Sequence, residues 1–407
     1  MAEVLSKPTG LQMADRIGRL GTETAFAVAG EAAAFASAGN DVFAFHLGDL
    51  DLATPSTVVD GALRALRDGT TGYAPSAGIP QLREVLAADV TASRGVEYSM
   101  ENVVIQPGGK PTIGKFFLTL LNPGDEVLYP NPGFPIYRSQ IEFNEGVAVP
   151  YGYVEGAANF EIDFDSLERG ITDKTRLLVL NDLHNPTGAE CSPLEHRRLA
   201  ELVRRHDLYV LVDEAYFDIR YTGESKSFVS QPGMAERSVI LYTFSKKFAM
   251  TGWRLGASIG PKEIVDVIAR INVNDESCSN HFVQYGGLAG LQGDQTEVRA
   301  IVDELRRRRD VAVARLNQIE GVKCFTPDTT FYLYPNVTEV MGNKGIDDYE
   351  EFRRAALYAS GVSFTTRDHF GGTTGDERQR YVRFAYSGIG VDRIEEGIGR
   401  FKQFCES

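Results

Sequence analysis

The sequence predicts an α/β protein: a large domain on a mostly parallel sheet covered by helices on both faces, then a smaller α+β domain. Three observations predict it. Between about residues 55 and 295, short apolar runs alternate with helical stretches, and that alternation argues a parallel sheet. Several chemistry-bearing residues fall just after those apolar runs, at the sheet edge where ligands of open α/β sheets bind. From about residue 296 the pattern changes to a long helix, short strands and a final helix.

The elements follow in order. Residues 12–40 are alanine-rich and helical in character, and Phe43 to Leu47 read as a short strand ending at Gly48. Val103-Val104-Ile105, Glu126-Val127-Leu128-Tyr129, Leu177-Leu178-Val179-Leu180, Tyr209-Val210-Leu211-Val212 and Val239-Ile240-Leu241 read as buried strands. Phe331 to Tyr334 and Tyr381 to Phe384 read as strands of the second domain. The expected division is 1–47 as an N-terminal segment joining the small domain, 48–295 as the large domain and 296–407 as the small C-terminal domain.

Bulk properties narrow the function classes. A chain of 407 residues with 43% hydrophobic residues has material for a large core. The net charge of −14, without a long basic block, argues against nucleic-acid partners. Arg306 to Arg309 fall on an amphipathic helix with Val298, Ile301, Val302 and Leu305, and read as a solvated face. Cys191, Cys278, Cys324 and Cys405 are widely spaced, so no metal or disulfide framework is expected and a cytoplasmic location is. Neither a signal peptide nor a membrane span is expected.

The most informative residue is Lys246. It lies in Thr243-Phe244-Ser245-Lys246, directly after an apolar strand, with Gly252 and Arg254 following. An amine able to join a carbonyl cofactor, flanked by hydroxyls and a guanidinium for a phosphate, is what pyridoxal phosphate requires. Taken alone, the pattern also fits a surface lysine at a strand end.

Other segments add to it. Gln106-Pro107-Gly108-Gly109-Lys110-Pro111-Thr112 follows a strand and opens a helix. Free N–H groups and the helix dipole there favour an anion, though a plain strand–helix turn has the same look. Asp213 ends the strand before Ala215 and Tyr216. It is either a helix cap or a carboxylate that keeps a pyridine nitrogen protonated. Asn185 lies in the Asn185-Pro186-Thr187-Gly188 turn and Phe134 in a loop after a strand. Asn185 and Tyr216 are candidates to bond a ring oxygen, and Phe134 to stack on a ring. Arg383 sits inside an apolar strand, so it needs either a bound carboxylate or an internal salt bridge.

On these motifs, from Phe45 to Arg383, the sequence resembles the class I/II aminotransferases, the aspartate aminotransferase superfamily. The Asn185-to-Gly188 turn, the Asp213-to-Tyr216 segment, the Ser245-Lys246 segment with Gly252 and Arg254, and Gly48-Asp49-Leu50-Asp51 occur in family order. The resemblance implies the fold type I architecture with a seven-stranded, mostly parallel sheet, and pyridoxal 5′-phosphate as cofactor. It implies Lys246, Asp213 and Tyr216 as catalytic residues. Gly109, Lys110, Phe134, Asn185, Thr243, Ser245 and Arg254 would complete the cofactor contacts. Gly48, Asn185, Arg383 and Lys110 would bind substrate. Tyr73 would reach the phosphate of a partner subunit, which makes a homodimer the expected assembly.

The expected reaction moves an amino group from an L-amino acid to a 2-oxo acid. Lys110 motivates an aspartate- or glutamate-like donor. Three departures from the family pattern bear on the substrate pocket: Pro111, Thr329-Thr330 before Phe331, and the segment Asp275 to His281. They motivate an alternative, in which the same cofactor supports elimination, decarboxylation or cyclisation. A non-catalytic regulatory protein is a third reading, opposed by the intact set of polar motif residues.

Overall fold

The computed structural model describes residues 12–373 and 377–407. After a short 3-10 turn at Asp15–Arg19, the chain forms α1 (Ala25–Ser37), β1 (Phe43–Ala44), α2 (Ser56–Arg67) and α3 (Pro80–Arg94). Next come β2 (Val103–Gln106), α4 (Lys110–Leu120), β3 (Glu126–Pro130), α5 (Ile136–Phe143) and β4 (Val147–Tyr151). A hairpin of β5 (Tyr153–Glu155) and β6 (Phe160–Ile162) leads to α6 (Phe164–Arg169), β7 (Thr175–Leu180), α7 (Pro193–Arg205) and β8 (Tyr209–Asp213). The large region finishes with β9 (Ser238–Thr243), α8 (Phe244–Lys247), β10 (Gly256–Ile259), α9 (Lys262–Asn274) and α10 (His281–Gln292).

A seven-stranded sheet runs in the order β2-β10-β9-β8-β7-β3-β4. Every pairing is parallel except those of β10, which is antiparallel to both β2 and β9. Side chains on a strand alternate between faces, and here the two sets enter separate cores. Leu178, Leu180, Val210, Val212 and Ile240 join one core, while Leu177, Val179, Leu211, Val239 and Leu241 join the other. Both faces are therefore dry, which is why these strands read as unbroken apolar runs.

The C-terminal region holds the long helix α11 (Thr296–Leu316), then β11 (Tyr332–Leu333), α12 (Thr338–Asn343) and α13 (Tyr349–Ser360). It ends with β12 (Val362–Ser363), β13 (Thr365–Thr366), β14 (Val382–Ala385) and α14 (Val391–Glu406). Its core contains Leu305, Phe352, Phe364, Phe384 and Phe401. Phe43 and Phe45 enter the same core, and β1 pairs in parallel with β12. Tyr216, Phe217 and Tyr221, which follow β8, also pack there, so the segment after Asp213 is wedged between sheet and C-terminal region.

The structure corrects the reading of the arginine run. Arg306 and Arg307 face solvent, but Arg308 and Arg309 are buried. Arg308 pairs with Asp51 at 2.7 Å and donates to the Ser387 carbonyl at 2.8 Å. Arg309 donates to the Pro327 carbonyl at 2.9 Å and lies over the Tyr221 ring. Their guanidinium groups tie α11 to neighbouring loops, and both positions fall on the buried stripe that runs from Ile301 and Leu305 to Ala312 and Leu316. No described helix is long and apolar enough to cross a membrane.

Candidate active site

A cavity of about 570 Å³ opens at the carboxyl ends of the sheet strands. Its lining includes Gly48, Gly109, Lys110, Phe134, Asn185, Asp213, Tyr216, Thr243, Ser245, Lys246, Arg254 and Arg383. One sequence-predicted site residue lies outside it: Tyr73 is 89% exposed, on the loop before α3.

Lys246 stands on the cavity floor, one short turn beyond β9. Its Nζ donates to the Gly48 carbonyl at 2.8 Å and lies 5.2 Å from the centre of the Phe331 ring. Burial, with Arg383 and Arg254 adding like charge, lowers the Lys246 amine to about 8. The neutral amine is therefore far more accessible near neutrality than that of an ordinary lysine. Gly48 is glycine for a steric reason: a Cβ there would collide with the Tyr332 hydroxyl.

Asp213 lies deep, at the end of β8. Its Oδ2 accepts from the Tyr137 hydroxyl at 2.6 Å, and its Oδ1 accepts from the Ala215 N–H at 3.0 Å. Burial pushes its carboxyl up to about 6 despite both bonds. No cation lies within ion-pairing distance of it among the described residues. Asn181 holds the neighbouring backbone: its amide donates to the Asp213 carbonyl, and its Oδ1 accepts from the Asn185 N–H at 2.9 Å. The Tyr216 hydroxyl bonds the Tyr332 hydroxyl at 2.7 Å.

The phosphate-type elements also converge. Gly109 and Lys110 begin α4, where N–H groups point outward. Thr243 caps α8 through the Ser245 N–H, and its hydroxyl bonds that of Ser245 at 2.9 Å. Arg254 donates to the Thr251 carbonyl at 2.7 Å and has no carboxylate partner among the described residues. Gly108 has φ +98°, and a Cβ there would strike the Arg254 guanidinium. Only glycine lets that guanidinium lie against the turn.

Arg383 is 4% exposed on β14. It donates to Asn185 Oδ1 at 3.1 Å and to the His46 carbonyl at 2.8 Å. Its guanidinium lies 4.5 Å from the Tyr332 ring centre and 4.6 Å from that of Phe370. It has no acidic partner among the described residues, and its Nε lacks any. Of the two readings for this buried arginine, the internal salt bridge is absent.

The three departures have structural counterparts. Pro111 occupies the first turn of α4, where no N–H is needed. Thr330 has φ +61°, and its carbonyl accepts from both Tyr221 and Tyr386 hydroxyls. The Asp275–His281 segment braces the Tyr73 loop: Cys278 Sγ accepts from the Ala74 N–H, and His281 Nδ1 lies 3.1 Å from the Gly72 carbonyl. Away from the cavity, Asp182, Cys191 and His196 are clustered. They satisfy one another: Asp182 Oδ2 meets His196 Nε2 at 2.7 Å, and Asp182 Oδ1 accepts from the Cys191 N–H.

Sequence reasoning missed Tyr137, Tyr332, Asn181 and Glu23, all of which line this cavity. Asn181 carried a usable signal, a polar residue closing an apolar strand. The others meet the site only through the fold.

The set fits a cofactor with an anionic phosphate, a protonatable ring and an aldehyde. It offers an amine with lowered pKa, a buried carboxylate without a cation and a guanidinium without a carboxylate among the described residues, and a helix N-terminus at a glycine turn. Residues 40–401 match the family described as aminotransferase class I and II, and the chain belongs to that family. It is a pyridoxal 5′-phosphate-dependent aminotransferase of the fold type I architecture. An aspartate aminotransferase of Bacillus subtilis is 30% identical over 400 residues, covering 97% of this chain and 99% of the relative. The Thermus thermophilus aspartate aminotransferase solved with maleate superimposes with a TM-score of 0.88 at 30% identity, covering 97% of this chain and 100% of that one. The Rhizobium meliloti aspartate aminotransferase superimposes with a TM-score of 0.90 at 28% identity, covering 98% and 99%.

Proposed function

We propose that this aminotransferase takes its amino group from an acidic L-amino acid and passes it to a 2-oxo acid such as 2-oxoglutarate, with Lys246 as the proton carrier. The observation that carries this reading is that one cavity holds the buried Lys246 amine and Arg383, a buried arginine without a carboxylate partner among the described residues; burial also lowers that amine to about 8. Pyridoxal phosphate supplies an aldehyde that joins an amine, and a ring that draws electrons from the carbon bearing it.

The residues divide the remaining work. Gly109 and Lys110, through their N–H groups, with Thr243, Ser245 and Arg254, hold the phosphate. Asp213 keeps a proton on the ring nitrogen, and Tyr137 orients Asp213. Tyr216 and Asn185 would bond the ring oxygen, and Phe134 would stack on the ring. Arg383, with Asn185 and the Gly48 backbone, grips the donor α-carboxylate, which fixes the Cα–H bond near Lys246. Lys246 Nζ would take the donor's Cα proton and deliver it to the cofactor carbon that carried the aldehyde. An ordinary lysine would be almost wholly protonated at neutrality, so the lowered pKa is what permits this role.

Lys110 Nζ, at the cavity mouth and 5.5 Å from the Phe134 ring centre, is the cation for a donor's distal carboxylate. Relatives that carry the name aspartate aminotransferase support this choice. Aspartate and alanine compared as donors, in wild type and Lys110→Ala, test it. A loss confined to aspartate is expected, and equal loss for both donors removes the distal role. Exposed Tyr73, held by the Asp275–His281 segment, supports a homodimer in which it reaches the partner's phosphate. Four free cysteines support a reducing, cytoplasmic setting.

A further inference from the structure

One more charged side chain enters the cavity from a part of the chain to which the reaction assigns nothing. Glu23 lies between the Asp15–Arg19 turn and α1. Its Oε1 stands 3.1 Å from Lys110 Nζ, and its side chain is only 16% exposed against 49% for that of Lys110. Three acids line the cavity: Glu23, Asp49 and Asp213. Asp213 is bonded to Tyr137, and Asp49 accepts from the Leu50 N–H beside it. Among the described residues only Glu23 of the three is paired with a cation.

The segment that carries Glu23 lies along α5. The Gly21 N–H donates to Ser139 Oγ at 2.9 Å, the Ser139 hydroxyl contacts the Gly21 carbonyl at 3.3 Å, and Arg19 pairs with Glu145 at 3.0 Å. The Arg19 pair is solvent-exposed, a class of contact that holds weakly. The segment thus sets Glu23 over the cavity mouth without locking it there.

We propose that Glu23 is a specificity-determining residue: its carboxylate occupies, at Lys110, the place of a donor's distal carboxylate, so acidic donors bind only by displacing it. The proposal rests on the reading of Lys110 as the distal cation. Two carboxylates cannot share one partly exposed ammonium without repelling each other. A donor with a neutral side chain leaves the Glu23–Lys110 pair intact and is not penalised. Glu23 therefore lowers the advantage that Lys110 gives to acidic donors.

Equilibrium binding of maleate, an unreactive dicarboxylate, and of propionate, a monocarboxylate, tests this without turnover. Calorimetry would compare the cofactor-loaded wild type, Glu23→Gln, Lys110→Ala and the double variant. Glu23→Gln is expected to tighten maleate roughly two- to fivefold, the range of a partly exposed ion pair, and to change propionate by clearly less than that. In the Lys110→Ala background, Glu23→Gln is expected to bring no comparable gain. Unchanged maleate affinity in Glu23→Gln overturns the proposal. So does equal tightening of both ligands, which would mark a general field effect. Maleate binding unaffected by Lys110→Ala removes the distal role of Lys110, and the proposal falls with it by a separate signature.

Discussion

The Tyr137 hydroxyl donates to Asp213 Oδ2 at 2.6 Å, and both side chains are buried. A phenol from the start of α5 thereby fixes the one deep carboxylate of the cavity. The bond favours the ionised carboxylate, against the burial that opposes it. Tyr137→Phe removes it and leaves Asp213 less ready to face a cationic ring nitrogen. Cofactor affinity is expected to fall roughly ten- to a hundredfold, the worth of one hydrogen bond to a charged group. Fluorescence of the single tryptophan, Trp253, during titration with pyridoxal phosphate reads this out. Unchanged affinity would mean that Tyr137 only fills space.

Asp213→Asn separates stability from activity. Burial raises Asp213 to about 6, above its ordinary 3.8, so the folded cofactor-free protein holds this proton more tightly than the unfolded chain. The stability contributed by this group is complete below about pH 4 and lost as pH rises through about 6. At pH 8 an ionised Asp213 without a cation destabilises the cofactor-free fold, on the order of 1–3 kcal/mol. Cofactor-free Asp213→Asn is expected to melt a few degrees above wild type at pH 8, with the gap closing toward pH 4. Turnover is expected to drop on the order of a hundred- to a thousandfold. Thermal melts at the two pH values, alongside an activity assay, test both halves.

Lys246 gives a second pH signature. Its amine is lowered to about 8 from an ordinary 10.5. Only the neutral amine joins an aldehyde, so the rate at which cofactor-free protein captures pyridoxal phosphate covalently should rise with pH and level off above about 8. Stopped-flow absorbance across pH 6 to about 10 measures it. A rate still climbing past about pH 10 would show that the cavity does not depress the lysine.

Arg383 acts through geometry as well as charge. Its two terminal nitrogens go to Asn185 and to the His46 carbonyl. A lysine keeps the charge but cannot hold both contacts while gripping a carboxylate. Arg383→Lys is expected to raise KM for every α-amino acid donor roughly ten- to a hundredfold, with a smaller effect on kcat. Steady-state kinetics with aspartate and alanine decide it. A loss confined to one donor would move Arg383 to side-chain recognition.

Much of the large region was legible because its strands are buried on both faces. Leu177 to Leu180 and Val239 to Leu241 are apolar without interruption, and polar residues begin where each strand leaves the sheet. β10 was not legible: Gly256-Ala257-Ser258-Ile259 is short and rich in small residues, and it runs against its neighbours. β4, at the sheet edge, is only partly buried and lacks the apolar signal. Within the cavity, Lys246, Asp213 and Asn185 were visible because local motifs carry them. Tyr137, Tyr332 and Glu23 were not, because each meets its partner across a long stretch of chain: 76 residues between Tyr137 and Asp213, 116 between Tyr216 and Tyr332. Arg308 and Arg309 misled because a run of arginines signals solvent, whereas loops folded over α11 supply carboxylate and carbonyl acceptors there.

The most direct test is a half-reaction. Cofactor-loaded wild type and Lys246→Ala are each mixed with aspartate, without any oxo-acid acceptor, and the absorbance is followed as the 2-oxo acid is collected. The account predicts one equivalent of 2-oxo acid per wild-type site, with the yellow colour lost and then restored by 2-oxoglutarate, and a loss of rate of at least about a thousandfold in Lys246→Ala. Lys246→Ala reacting as fast as wild type would contradict the role given to that amine.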